Sequence, residues 1–252
     1  MNTKHPPECA LHSAKSSRRS RTIFLAIAVG TTGFLSSLSA QTAIVVLNSG
    51  FESPTPTSLP GYTVGATYWT QTRLDINAGT FAPSLASPAN PDPLPKDGVQ
   101  VGYADGSGGL RQVFTETYAS SQLYTFSVWI GVRSDLMTST QGTGAIAIGT
   151  FDAGTSTFTP FSTQTKTVNL GDFDFVSGSY QTTGASLGLP IALQLTSVGS
   201  FQVLFDQVQL SYTAIPEPAT FAGMFGAAAL IFAWSRRRMR SGTRPAVVGR
   251  GA

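Results

Sequence analysis

Residues 123–133 alternate strictly. Tyr124, Phe126, Val128, Ile130 and Val132 put only apolar side chains on one side, while Leu123, Thr125, Ser127, Trp129, Gly131 and Arg133 take the other. A period of two commits one face to a core and turns the other outward, which a strand does and a helix cannot. Shorter strands are predicted at Ile44 to Leu47, Val99 to Tyr103, Leu110 to Thr115, Ala145 to Ile148, Thr165 to Leu170, Ile191 to Leu195 and Phe201 to Leu210. Glycine, serine, threonine, asparagine and proline fill the gaps, and no helical period of useful length interrupts 41–213. The expected fold is all-β, a single antiparallel jelly-roll-like β-sandwich. Pro83, Pro88, Pro91, Pro93 and Pro95 make Phe81 to Asp97 an exposed loop or edge crossing, and Asp105-Gly106-Ser107-Gly108-Gly109 reads as a turn.

Charge separates this block from the ends. Residues 41–214 hold Arg73, Lys96, Arg111, Arg133 and Lys166 against eleven acidic side chains, a net of −6 within a chain whose formal charge is +3. A nucleic-acid partner is therefore not expected. Cys9, His5 and His12 all precede the sandwich, which leaves it without cysteine or histidine. Histidine triads, cysteine nucleophiles and His/Cys zinc sites are excluded there by inventory.

The first 40 residues read as a signal peptide. A polar, basic stretch is followed by the apolar run Ile23 to Val29 and by small residues ending at Ala40. At the other end, Pro216 and Pro218 stop a strand. Ala219 to Trp234 then runs without charge into Arg236, Arg237, Arg238 and Arg240. Pro218 is placed to open a helix. At 1.5 Å per residue the uncharged rod reaches roughly 24 Å, against a hydrocarbon core of about 30 Å, so it spans only with bilayer thinning or arginine snorkelling. The arginines match a cytoplasmic membrane stop. The expected domains are 1–40 leader, 41–213 sandwich, 214–240 sorting and membrane segment, and a short cytoplasmic extension over 241–252.

Pro216-Glu217-Pro218-Ala219-Thr220, the apolar span and the arginine cluster together resemble the PEP-CTERM sorting signal. That resemblance implies processing by signal peptidase and by exosortase, a membrane-embedded cysteine transpeptidase. It also implies transient inner-membrane anchoring, then a cell-surface or extracellular address.

Asn48-Ser49-Gly50-Phe51-Glu52-Ser53-Pro54, with Trp69 downstream and Phe205-Asp206-Gln207-Val208-Gln209-Leu210 at the close, resembles jelly-roll modules of the galactose-binding-like superfamily. The resemblance implies first and last strands side by side, with Glu52 and Asp206 as candidate ligands of a structural calcium ion. No other cofactor is implied. The alternative for Glu52 is pairing with Arg73 or Arg111. Asp172 and Asp174, around Phe173 in a glycine-bounded turn, form a weaker acidic corner. Sugar binding by such modules uses exposed aromatic platforms, for which Trp69, Tyr68, Tyr103 and Trp129 are the candidates.

The functional expectation is a noncatalytic surface or matrix protein supporting adhesion or exopolysaccharide assembly. The first alternative is a displayed module binding exopolysaccharide or cell-surface glycan. The second is a glycoside hydrolase using paired carboxylates.

Overall fold

The computed structural model describes residues 40–75, 77–83, 93–134, 140–199, 201–216 and 218–241. The leader up to residue 39, Glu217 of the sorting motif, Pro88 and Pro91, and residues 242–252 of the extension lie outside the described residues.

Among the described residues, twelve strands are formed. The first sheet contains β1 (Thr42–Ile44), β2 (Gly61–Val64), β4 (Ala78–Ala82), β5 (Val101–Ala104), β7 (Gln122–Gly131), β10 (Phe173–Gln181) and β12 (Val203–Ala214). Its order is β10-β7-β12-β5-β4-β2, with β1 also paired to β12. The second sheet runs β3 (Thr70–Gln71), β6 (Gly109–Thr117), β11 (Pro190–Val198), β8 (Gln141–Asp152) and β9 (Thr157–Asn169). All pairs within strands are antiparallel, and the first and last strands are neighbours through Ile44 and Leu210.

The long alternating segment explains how the sheets face each other. Tyr124, Phe126, Val128, Ile130 and Val132 are all at most 2% exposed. They pack with Ile146 and Ile148 of β8, Leu193 and Leu195 of β11 and Leu110 of β6 in one core between the sheets. One end is closed by rings: Tyr118 stands edge-on to Tyr124, Phe161 and Tyr180 at 5.0, 5.4 and 5.6 Å and donates its hydroxyl to the Gly149 carbonyl.

Three expectations change. β2, β3, β4 and β10 have weak or no apolar alternation of their own and become strands by pairing with β4, β6, β5 and β7. Asp174 is consequently in β10, paired with Lys166 at 3.3 Å, and does not form a turn corner with Asp172. Phe81 is fully buried in β4, so the proline-rich crossing starts after it. The turn at Asp105–Gly108 forms, closed by the Gly108 N–H on the Asp105 carbonyl.

Helix α1 (Pro218–Ser241) begins at the expected proline. The expected membrane span is not found: among the described residues, no helix is long and apolar enough to cross a membrane. The short uncharged run, bounded by arginines, is the physical reason.

Candidate active site

The outer face of the first sheet is built in rows that cross its strands. Phe173 of β10, Gly131 of β7, Leu204 of β12, Tyr103 of β5 and Gly79 of β4 are successive register partners. Glycine is needed at 131 because a Cβ there would stand 2.6 Å from the Phe173 ring, which lies across the strand. Leu204 and Tyr103 join Phe81 and Val101 in a second apolar cluster, against which Phe173 packs. In the next row, Phe175, Trp129 and Asp206 are partners. The Trp129 and Phe175 rings are 5.3 Å apart, and the Lys96 Nζ lies 5.0 Å above Trp129 and 5.7 Å from Phe173.

Asp206 sits where β12 gains a residue. Trp129 pairs with Asp206, but Ser127 two positions back pairs with Gln209, and Gln207 takes the left-handed conformation at φ 49. The bulge reverses the alternation, so Val203 and Phe205 enter the core before it and Val208 and Leu210 after it. Asp206 is left on the outer face, yet fully buried. What covers it is the segment 96–100. Asp206 Oδ2 accepts the Lys96 and Asp97 N–H groups at 2.6 and 2.9 Å, and Oδ1 accepts the Gln207 N–H at 2.7 Å. Three donors favour the carboxylate, but loss of water outweighs them and the nearby Asp97 adds to it. The pKa is pushed up from 3.8 to about 6.

Glu52 holds the other end of the same segment. Its Oε1 accepts the Val99 and Gln100 N–H groups, both at 2.9 Å, and its carbonyl accepts Gln100 Nε2. Gly98 between them is at φ 64, and a Cβ there would lie 2.2 Å from Glu52 Oε1. Gly98→Ala is accordingly expected to cost about 2 kcal/mol, from the left-handed backbone and the displaced carboxylate, read as a lower urea midpoint.

The opening motif has its own mechanics. Asn48, at φ 51, donates from Nδ2 to the Ser53 and Thr67 carbonyls and accepts the Ser53 N–H, locking the loop. Phe51 then enters the core against Gly102, where a Cβ would meet its ring at 2.9 Å, and Glu52 is aimed at 98–100.

The predicted residues separate. Glu52 and Asp206 do meet on one segment, each engaged by backbone N–H groups; neither Arg73, paired with Asp75, nor Arg111, stacked on Phe151, touches Glu52. Among the described residues, no group of three His, Cys, Asp or Glu side chains is arranged to hold a metal ion. Trp69 is 5% exposed, with Nε1 donating to the Leu47 and Asn48 carbonyls, and Tyr103 is 2% exposed. Neither offers an open ring face. Tyr68 is exposed on a turn, and Trp129 is partly exposed beside the acid. Lys96, Phe173 and Phe175 were not anticipated. The bulge that places Asp206 has a sequence signal: the apolar spacing Phe205, Val208, Leu210 is three and then two.

A family model described as HpiC1 cyclase matches residues 42–211, about two thirds of the chain and all but the last residues of the sandwich. The chain belongs to the HpiC1-like family. Solved structures similar to this HpiC1-like sandwich include a Stig cyclase, Fisc, from Fischerella sp. TAU in complex with (3Z)-3-(1-methyl-2-pyrrolidinylidene)-3H-indole. It shares 18% identity over 70% of this chain and 100% of that one, with a TM-score of 0.59. A cyclase from the same organism, in complex with 4-(1H-indol-3-yl)butan-2-one, shares 20% identity over 69% and 99%, with a TM-score of 0.51. A xylan-binding CBM22-1 domain from Paenibacillus barcinonensis Xyn10C is more distant, at 13% identity over 61% and 91% and a TM-score of 0.43. No curated protein matches the chain by sequence. The jelly-roll sandwich stands, but membership of a cyclase family overturns the expectation of a noncatalytic protein. That expectation draws on sorting signals at both ends, an acidic Ser/Thr-rich sandwich and the missing histidine and cysteine, none of which bars ring closure: one buried acid on an apolar surface is enough to deliver a proton.

Proposed function

We propose that this HpiC1-like chain is a cyclase in which Asp206 donates a proton to an apolar, π-bonded substrate held against Trp129, Phe173 and Phe175. The observation that carries the reading is a fully buried carboxyl, with its pKa raised to about 6, on an aromatic face. Addition of the proton to one carbon of a C=C bond uses the π pair and leaves a cation on its neighbour. A second π bond of the same molecule supplies the electrons that close the ring. Loss of a proton from the closed cation returns it to the Asp206 carboxylate. The sum is an isomerisation, with no oxidant and no water consumed. Ring faces favour a cation within about 6 Å, and the Lys96 ammonium already takes such a position over Trp129 and Phe173. Access of substrate to Asp206 requires the 96–100 segment, whose Lys96 and Asp97 N–H groups hold the carboxylate, to move aside.

The indole-bearing ligands of the Fischerella cyclases suggest the substrate class. Saturable binding of 4-(1H-indol-3-yl)butan-2-one is expected by calorimetry, weakened about tenfold in Trp129→Ala through loss of ring contact. No binding by the wild type would reject that class.

We further propose that the protein is exported and handled by exosortase, on the strength of the basic-apolar leader and the Pro216-Glu217-Pro218 tail that leads into α1. Intact masses from cell fractions are expected to show both ends removed; a full-length mass in the cytoplasm would contradict this.

A further inference from the structure

On the far side of the sandwich, Arg111 of β6 lies on the outer face of the second sheet, since Leu110 and Gln112 on either side turn inward at 0% and 4% exposure. Its register neighbours are Thr70 of β3 and Gln194 of β11, and Gln194 in turn partners Ala147 of β8. The next row is Val113, Ala192 and Gly149. Small side chains at 147, 192 and 149 leave a trough in which a long stem lies flat. Glycine at 149 is enforced, because a Cβ would stand 2.1 Å from the Thr159 carbonyl oxygen. Further along β8, the Phe151 ring receives the guanidinium, with Cζ 3.4 Å from its centroid.

Among the described residues, this guanidinium has a ring partner but no polar one. Nε is buried with no hydrogen bond, and neither of the ion pairs formed among the described residues, Arg73 with Asp75 and Lys166 with Asp174, includes it. Burial pulls its pKa below the ordinary arginine value. The terminal amino groups are not closed off as Nε is, and stacking on Phe151 holds them in one plane. A planar fork of this kind matches the two oxygens of a carboxylate.

We propose that Arg111, pre-stacked on Phe151, is a binding site for a small organic carboxylate, separate from the Asp206 site. Its terminal amino groups take both carboxylate oxygens. Thr70 and Gln194 supply hydroxyl and amide contacts to polar parts of the ligand, and Val113, 46% exposed, forms an apolar shelf beside them. The sandwich carries a formal net charge of −6 over 41–214, so it draws no anion to this face by its overall field. Retention of an anion here is a property of the local fork.

The test is an NMR titration of the protein with sodium glucuronate, with glucose as the uncharged control. Saturable shifts are expected in the amide signals of Arg111, Gln194 and Phe151, with none at Trp129 and none with glucose. Arg111→Gln is expected to abolish them. Arg111→Lys, which keeps the charge and loses the fork, is expected to weaken binding about tenfold. Phe151→Leu, which leaves the charge and unlocks its plane, should also weaken it. The proposal is overturned by shifts that survive in Arg111→Gln, by equal shifts with glucose, or by the absence of saturation in the wild type.

Discussion

Asp206→Asn is expected to lower turnover by about 10²- to 10⁴-fold on any substrate the wild type cyclises, the range for removing one positioned proton donor. The asparagine has nearly the same shape and its carbonyl oxygen still accepts N–H bonds, so the 96–100 segment keeps most of its anchorage while the transferable proton is gone. The wild-type rate should fall as pH rises through about 6, because the carboxyl must be protonated to act. A second measurement separates this from a structural role. The folded pKa lies above the aspartate value of 3.8, so the folded state binds a proton that the unfolded state has released. The stabilising contribution is fully present below the unfolded value and is lost as pH rises through about 6. Relative to Asp206→Asn, the wild type should therefore gain on the order of 1 kcal/mol of stability on going from pH 7 to about pH 5. Urea unfolding at the two pH values reads it directly. Undiminished turnover in the variant would remove Asp206 from the mechanism, whatever the stability data show.

Trp69→Ala is expected to cost about 3–5 kcal/mol, the range for emptying a large aromatic site in a close-packed core. The indole is 5% exposed, packs 5.2 Å from Phe51 and satisfies the Leu47 and Asn48 carbonyls through one N–H. Its removal leaves a cavity and also frees the Asn48 loop that positions Glu52. The urea midpoint should fall strongly with an unchanged slope. Binding of 4-(1H-indol-3-yl)butan-2-one per folded molecule should be nearly unaffected, which distinguishes a core tryptophan from a ligand platform. A loss of binding without loss of stability would contradict this placement.

These two residues show where reading the chain succeeded and where it did not. Tyr124 to Val132 revealed a core-facing strand because strand geometry maps a period of two directly onto two faces. Trp69 and Tyr103 could not be sorted the same way. Each is a large ring in a short segment with little alternation, and whether it meets solvent depends on what a distant part of the chain lays over it. For Trp69 that cover includes Phe51; for Tyr103 it includes Tyr62 at 4.9 Å and Leu204 across the sheet. Glu52 and Asp206 were brought together by resemblance, and they do share a segment, but their partners are backbone N–H groups that no side-chain pattern reveals. Lys96 follows Pro93 and Pro95 in the sequence with nothing to set it apart, and only its position over Trp129 and Phe173 gives it a role. The strands β2, β4 and β10 were unreadable because they owe their conformation to neighbours already in place.

By itself the sequence determined the two-faced strands, the turn at 105–109, the helix that opens at Pro218 and the absence of histidine and cysteine from the sandwich. Each of these follows from local backbone geometry or from inventory, and neither needs to know what lies across the sheet. Only the tertiary structure decided that Asp206 is buried beneath the 96–100 segment on an aromatic face, and that Arg111 is stacked on Phe151 on the opposite one. Burial, and with it the loss of water that moves a pKa or leaves a guanidinium without a polar partner among the described residues, is set by contacts among residues roughly 40 to 110 positions apart.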